Sequence, residues 1–255
     1  MFVPAVYPYC GPAPLPGDLL GQWNLDPVLL AAMVALAAVS VMCLSRVGEL
    51  RRKLGWLIGT WLMLAVLFLS PLCALSSALF SVRVAHHVVM IALVAPVLVM
   101  SLPDRWRTPV FSPGALGVVF ALQVGILWFW HVPVPYVAAM SDDLLFWTMQ
   151  LSLMVSAVAL WLTVLSPAAP FGSALTLLLG MVIQMGLLGA MITFAKVPLY
   201  QPHFSTTEPF GLSTLVDQQL AGLIMWVPST IPYLVAALLL VGRGLTVEPT
   251  AGRTS

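Results

Sequence analysis

The chain reads as an all-α membrane protein, a bundle of seven transmembrane helices with its N-terminus outside and its C-terminus in the cytoplasm. Three observations predict this. Hydrophobic residues make up 61% of the 255 and charged residues 7%, and the mean hydropathy is +1.03. A soluble domain carries roughly 25% charged residues, so this sequence could not cover a water-facing surface. Seven windows, 27–45, 55–75, 83–102, 114–131, 144–165, 173–195 and 220–242, approach the about 20 apolar residues that a spanning helix needs. The lysines and arginines then fall almost entirely on one side of these windows, which sets the orientation.

Taken in order, residues 1–26 contain no basic residue and no compact apolar core, so they read as an extracytoplasmic segment rather than a signal peptide. Residues 27–242 form the membrane domain, and 243–255 a cytoplasmic tail. Arg46, Arg51, Arg52 and Lys53 lie in the first connection, Arg105 and Arg107 in the third, Arg243 and Arg253 in the tail. The opposite side has Lys196, with Arg83 at or just inside the interface. Short connections leave no room for a soluble domain. Cys10, Cys43 and Cys73 show neither CxxC spacing nor a framework pattern. They read as structural, with Cys10 and Cys73 as candidate thiols on the outer side.

The trace also assigns depth, at about 1.5 Å per residue. The stretch SVRVAHHVVM opens the third window, placing His86 and His87 one to two turns below the outer surface. The fourth window ends in LWFWHVPVPY, which puts His131 at the outer rim, with prolines ending the helix and stiffening the loop. The fifth starts after Ser141-Asp142-Asp143, with Gln150 about two turns in. STLVDQQLAG places Asp217, Gln218 and Gln219 at the entrance of the seventh, and His203 lies in the longest outer loop. Most outer polar groups thus collect in one layer.

That layer suggests a metal site. His87 and His131, with a third group from Asp217, Gln150 or a methionine, would supply a mixed set; imidazole and thioether suit copper, and a carboxylate can join for Cu(II). Arg83, four residues before His87 and on its face, reads as a charge partner for Asp217 or Asp142. His86 points about 100° away. Each residue also has a plainer reading. His87 is then an interfacial histidine bonded to a carbonyl or headgroup, and His131 part of an aromatic belt with Trp128 and Trp130. Asp217 is then a cap or first-turn acid of the seventh helix. Met149, Met181 and Met185 fill gaps between helices.

Several other chemistries can be set aside or find little support. No basic stripe suits nucleic acid, and no lysine inside a window could anchor a Schiff base. Gly-rich phosphate loops, nucleophile elbows and HExxH are absent, so no enzyme is expected. Inverted repeats with midplane charges, the mark of a transporter, are not evident; the midplane polar groups are Gln123 and Gln184.

The layout resembles the CtaG-type cytochrome c oxidase assembly factors of bacteria. QWNLDP before the first helix, RRKLGW through VLVMSLP, WHVPVPY, LLGAMITFAKVPLY and DQQLAGLIMWVPS carry the likeness in order, orientation and depth. The resemblance implies a role in maturing a haem–copper oxidase in the bacterial cytoplasmic (inner) membrane, with oxidase subunits or their assembly factors as partners. It also implies a part in supplying or protecting copper. Relatives usually carry His-x-x-x-His atop the third helix, where this chain has Arg83 and His87. They carry a second such pair in the fifth, with an acid before its second His; here those positions are Phe146, Met149 and Gln150. The expected metal residues are therefore His87, His131 and Asp217, with Arg83, His86, Met149, Gln150 and Gln218 as weaker or supporting candidates. A metal-free structural subunit and a small-molecule or metal transporter are the alternatives.

Overall fold

A computed structural model describes residues 8–107 and 112–247. The expected tail residues 248–255, Arg253 among them, lie outside the described residues, as do residues 1–7. Six helices are long and apolar enough to cross a membrane, or seven when the bent pair α2 (Leu50–Phe68) and α3 (Pro71–Ala78) counts as one span. The chain is a multi-pass helical membrane protein.

The first span is α1 (Pro27–Arg46), started by the Asp26 carboxylate, which accepts the amides of Val28 and Leu29. The second window is not one straight helix. Ser70 caps a new start and Pro71 takes its first position, so α3 leaves α2 at 46°. The residue before a proline avoids the helical region, which enforces the break.

The third span is composite: α4 (Phe80–Val89), a π turn (Met90–Val94) and α5 (Ala95–Ser101). Pro96 has no amide to offer the carbonyl four residues back, and the ladder widens just before it, with the Ala95 amide reaching Met90. The Trp161 indole donates to the Ile91 carbonyl in this turn, at 2.9 Å. A break in the ladder thus becomes a tie to another helix.

The fourth span, α6 (Pro113–His131), ends where expected. The prolines after it do not make a stiff loop, however: Pro133 occupies the first position of a further short helix, α7 (Pro133–Ser141). Next come α8 (Asp143–Val164), capped by Asp142, and α9 (Phe171–Thr193). The last window divides at Pro228 into α10 (Thr214–Trp226) and α11 (Thr230–Val247). Because α11 runs on to Val247, the tail expected from residue 243 begins as helix.

The two ends of the bundle differ in chemistry. At one, Asp104 pairs with Lys53 at 2.8 Å and Arg52 at 2.6 Å; these two cations hold the Asp104 carboxyl down at about 2. At the other, Cys10 and Cys73 form a disulfide across 63 residues, so neither is the free thiol the spacing suggested. It fastens the N-terminal segment over α3 and α8, where Tyr9 stacks on Phe146 with centroids 5.1 Å apart.

α9 and α10 approach each other closely. A Cβ on Gly189 would lie 2.7 Å from the Gly222 carbonyl oxygen, and one on Gly222 2.5 Å from that of Gly189. With backbone on both sides, nothing flexible can yield. Gly222→Val should therefore cost about 1–3 kcal/mol, read as a lowered Tm in mild detergent. An unchanged Tm would mean that the two helices are not in this register.

Candidate functional site

The site lies at the disulfide end, where α4 begins. No side chain of its own caps α4. Asp217 of α10 does so from 137 residues away: its carboxylate accepts the Phe80 amide at 2.7 Å, the Ser81 amide at 3.3 Å and the Ser81 hydroxyl. A fully buried negative charge on the free amides of a helix start is well matched to the positive end of the helix dipole. Asp217 is thus a cap, but of α4; Ser213 caps α10.

One turn below, α4 presents Arg83, His86 and His87, all buried. The two histidines diverge, as their spacing requires. His86 Nε2 lies 3.1 Å from the Leu67 carbonyl, freed at the α2–α3 bend, with its ring edge-on to Phe68. His87 turns toward α6, where its ring meets His131 at 5.7 Å between centroids. His131 Nδ1–H donates to the Leu127 carbonyl at 2.7 Å, which leaves Nε2 as the available nitrogen. Its own carbonyl accepts the Tyr200 hydroxyl at 2.8 Å.

Arg83 pairs with neither Asp217 nor Asp142, contrary to expectation. Asp217 is committed to the α4 amides, and Asp142 caps α8 through the Leu145 amide. The guanidinium instead lies over the Phe146 ring, 5.2 Å from its centroid, with the Tyr136 hydroxyl as a polar neighbour. Gln150, one turn along α8 from Phe146, neighbours His87. Arg83 thus faces Phe146 and His87 faces Gln150 across α4 and α8, which brings together the four positions where the resemblance implies histidines.

All three guanidinium nitrogens of Arg83, both ring nitrogens of His87 and both amide atoms of Gln150 lack hydrogen-bond partners, although buried. Met149 is buried as well. Gln218 serves elsewhere: its amide accepts the Leu199 N–H at 2.7 Å and donates to the Val197 carbonyl at 3.3 Å, clipping down the segment between α9 and α10. Among the described residues no three His, Cys, Asp or Glu side chains converge to hold a metal ion. With Asp217 committed and a guanidinium beside His87, the residues do not fit a three-donor metal site.

Sequence reading did not single out the cover. Tyr200 stacks on Phe80 at 3.7 Å between centroids. His203 bridges two elements: its Nδ1–H donates to the Ala78 carbonyl at 3.2 Å, and its Nε2 accepts the Tyr136 hydroxyl at 2.7 Å. Thr206 also donates to the Ala78 carbonyl. Tyr136 and Tyr200 stand within WHVPVPY and KVPLY, stretches whose signal lay in the resemblance rather than in any residue pattern.

Two measurements test this geometry. Asp217→Ala should lose about 1.5–3 kcal/mol of stability, the scale of hydrogen bonds to a charged group, seen as a lowered Tm; an unchanged Tm would exclude the capping role. Burial pushes the His203 imidazole down to about 3, so its folded form resists protonation. Its contribution is whole above the ordinary imidazole value of about 6.5 and declines as pH falls from there toward 3. His203→Gln, which cannot take up a proton in that range, should lose stability less steeply than the natural chain between pH 6.5 and 4.5. Parallel pH profiles would show that His203 does not titrate this way.

The model of the cytochrome c oxidase caa3 assembly factor family (Caa3_CtaG) matches residues 35–246. No curated protein matches the chain, and no solved structure does. The match runs from α1 to α11 and takes in every residue of the polar layer just described. The chain belongs to the cytochrome c oxidase caa3 assembly factor family.

Proposed function

We propose that this chain assists assembly of a haem–copper terminal oxidase in the bacterial cytoplasmic membrane without catalysing a reaction. Its disulfide end faces outward, and it works by holding an oxidase subunit rather than by carrying copper on a full ligand set. Family membership over residues 35–246 supports the oxidase. The observation that carries the mode of action is the donor set. Two imidazoles remain, the family's carboxylate is bound to helix amides, and a permanent cation stands where relatives place a ligand. A metal ion there would meet repulsion from Arg83, which cannot lose its proton.

Two features support the orientation. Disulfides persist in oxidising compartments such as the bacterial periplasm, and Cys10–Cys73 lies at one end. Arg52, Lys53 and Arg107 gather around Asp104 at the other, in keeping with the bias of basic residues to the cytoplasmic side. The N-terminal segment would then be extracytoplasmic, as read from sequence.

A second reading keeps copper. The hydrogen bond that fixes His131 Nδ1 is the kind that orients a metal-binding imidazole. His131 Nε2 and a ring nitrogen of His87 would then be the donors.

The assembly role is tested in a bacterium deleted for this chain, by the amount of assembled oxidase in its membranes. Loss on deletion is expected, with recovery by the natural chain, full recovery by His87→Ala and His131→Ala, and co-purification of an oxidase subunit. Oxidase levels indifferent to deletion would overturn the assembly reading. Failure of both histidine variants at normal protein level would favour copper.

A further inference from the structure

Arg83 is fully buried and none of its nitrogens has a hydrogen-bond partner. Unlike a lysine, it cannot shed its charge to suit an apolar setting, so a buried guanidinium calls for a counter-charge. Among the described residues no carboxylate forms an ion pair with it. The titratable groups around it are His86, His87, His203 and Tyr136, and its ring contact is Phe146. The nearest helix-start carboxylate, Asp217, is committed to Phe80 and Ser81.

The neighbours are equally incomplete. His87 has two ring nitrogens without partners, and Gln150 beside it has an unpartnered amide NH2 as well as its oxygen. Donors from α4 and α8 thus lie together, and the acceptors beside them, the Tyr136 hydroxyl and the Gln150 oxygen, carry no charge to match the guanidinium. Orphaned buried donors of this kind mark a missing ligand or strain, and here three side chains from two helices share the deficit. The surplus of donors and the fixed positive charge select an anion.

We propose that Arg83, His87 and Gln150 form a binding site for a small monovalent anion, chloride or a carboxylate of formate's size. The enclosure sets the size limit: Arg83 is 0% exposed and His87 and Gln150 1% each. The guanidinium supplies charge and a forked donor set, while the Gln150 amide and the His87 N–H complete the shell. The site stands whichever reading of the His87–His131 pair holds.

The test uses the full chain purified in nonionic detergent and exchanged into sodium gluconate, an anion too bulky for the enclosed site. Sodium chloride or sodium formate is titrated in at constant ionic strength while Tm is followed by tryptophan fluorescence. A ligand that binds the folded form alone raises Tm with concentration. The natural chain should show a saturable rise of several degrees. Arg83→Met should show none, and in gluconate its Tm should equal or exceed that of the natural chain because the unpaired cation is gone. No saturable rise in the natural chain, or the same rise in both, would overturn the proposal. If Arg83→Met does not fold, line broadening of 13C-formate by the natural chain decides alone: reversal by chloride supports the site, and its absence refutes it.

Discussion

The contact on which the rest of the site depends is the Asp217 carboxylate on the first amides of α4. A helix start leaves several N–H groups without partners, and α4 begins deep inside protein, where water cannot serve them. Placing the acceptor on α10 fixes both the height and the rotation of α4 against a helix 137 residues away. Arg83, His86 and His87 follow within two turns, so their directions are set by that one capping contact. The Gly189–Gly222 approach, which brings α10 close to α9, supports it from the other side.

Around this anchor the fold converts breaks into positions. The α2–α3 bend frees the Leu67 carbonyl for His86, the π turn before Pro96 offers Ile91 to Trp161, and the end of α6 frees the His131 carbonyl for Tyr200. These three interruptions of a helical ladder are each used by a side chain from another element, whereas at the α10–α11 break the Met225 and Val227 carbonyls take the local Ser229 and Thr230 hydroxyls. A polytopic bundle built from straight helices would lack these polar ties, because its backbone groups would be satisfied within each helix. The polar layer is therefore a product of the irregular spans, and it lies where they meet.

Much of this was legible in the sequence. The seven windows follow from hydropathy, though helix starts at Leu50 and Thr214 precede the windows that open at 55 and 220, and the disulfide-end location of His87, His131 and Asp217 follows from counting along the spans. The bend at Ser70-Pro71 and the helix after Pro133 were missed because a proline at a helix start and one that stops a helix look alike in a string of apolar residues. The Cys10–Cys73 pair, 63 residues apart, leaves no spacing signal. The role of Asp217 was read as local because capping is usually local; its true partner is fixed by packing alone. Arg83 was expected beside a carboxylate, and sequence could not show that both candidates are committed to helix starts.

Arg83 puts a fixed positive charge close to His87, at a position where the resemblance implies a metal donor, and the proposal of a chain that works without a full copper site rests on it. The most direct measurement is elemental analysis of the purified chain after loading with Cu(I), alongside Arg83→His, which restores an imidazole one turn from His87. Copper well below one per chain is expected in the natural protein, with a clear gain in Arg83→His. About one copper per chain in the natural protein, lost in both His87→Ala and His131→Ala, would contradict it.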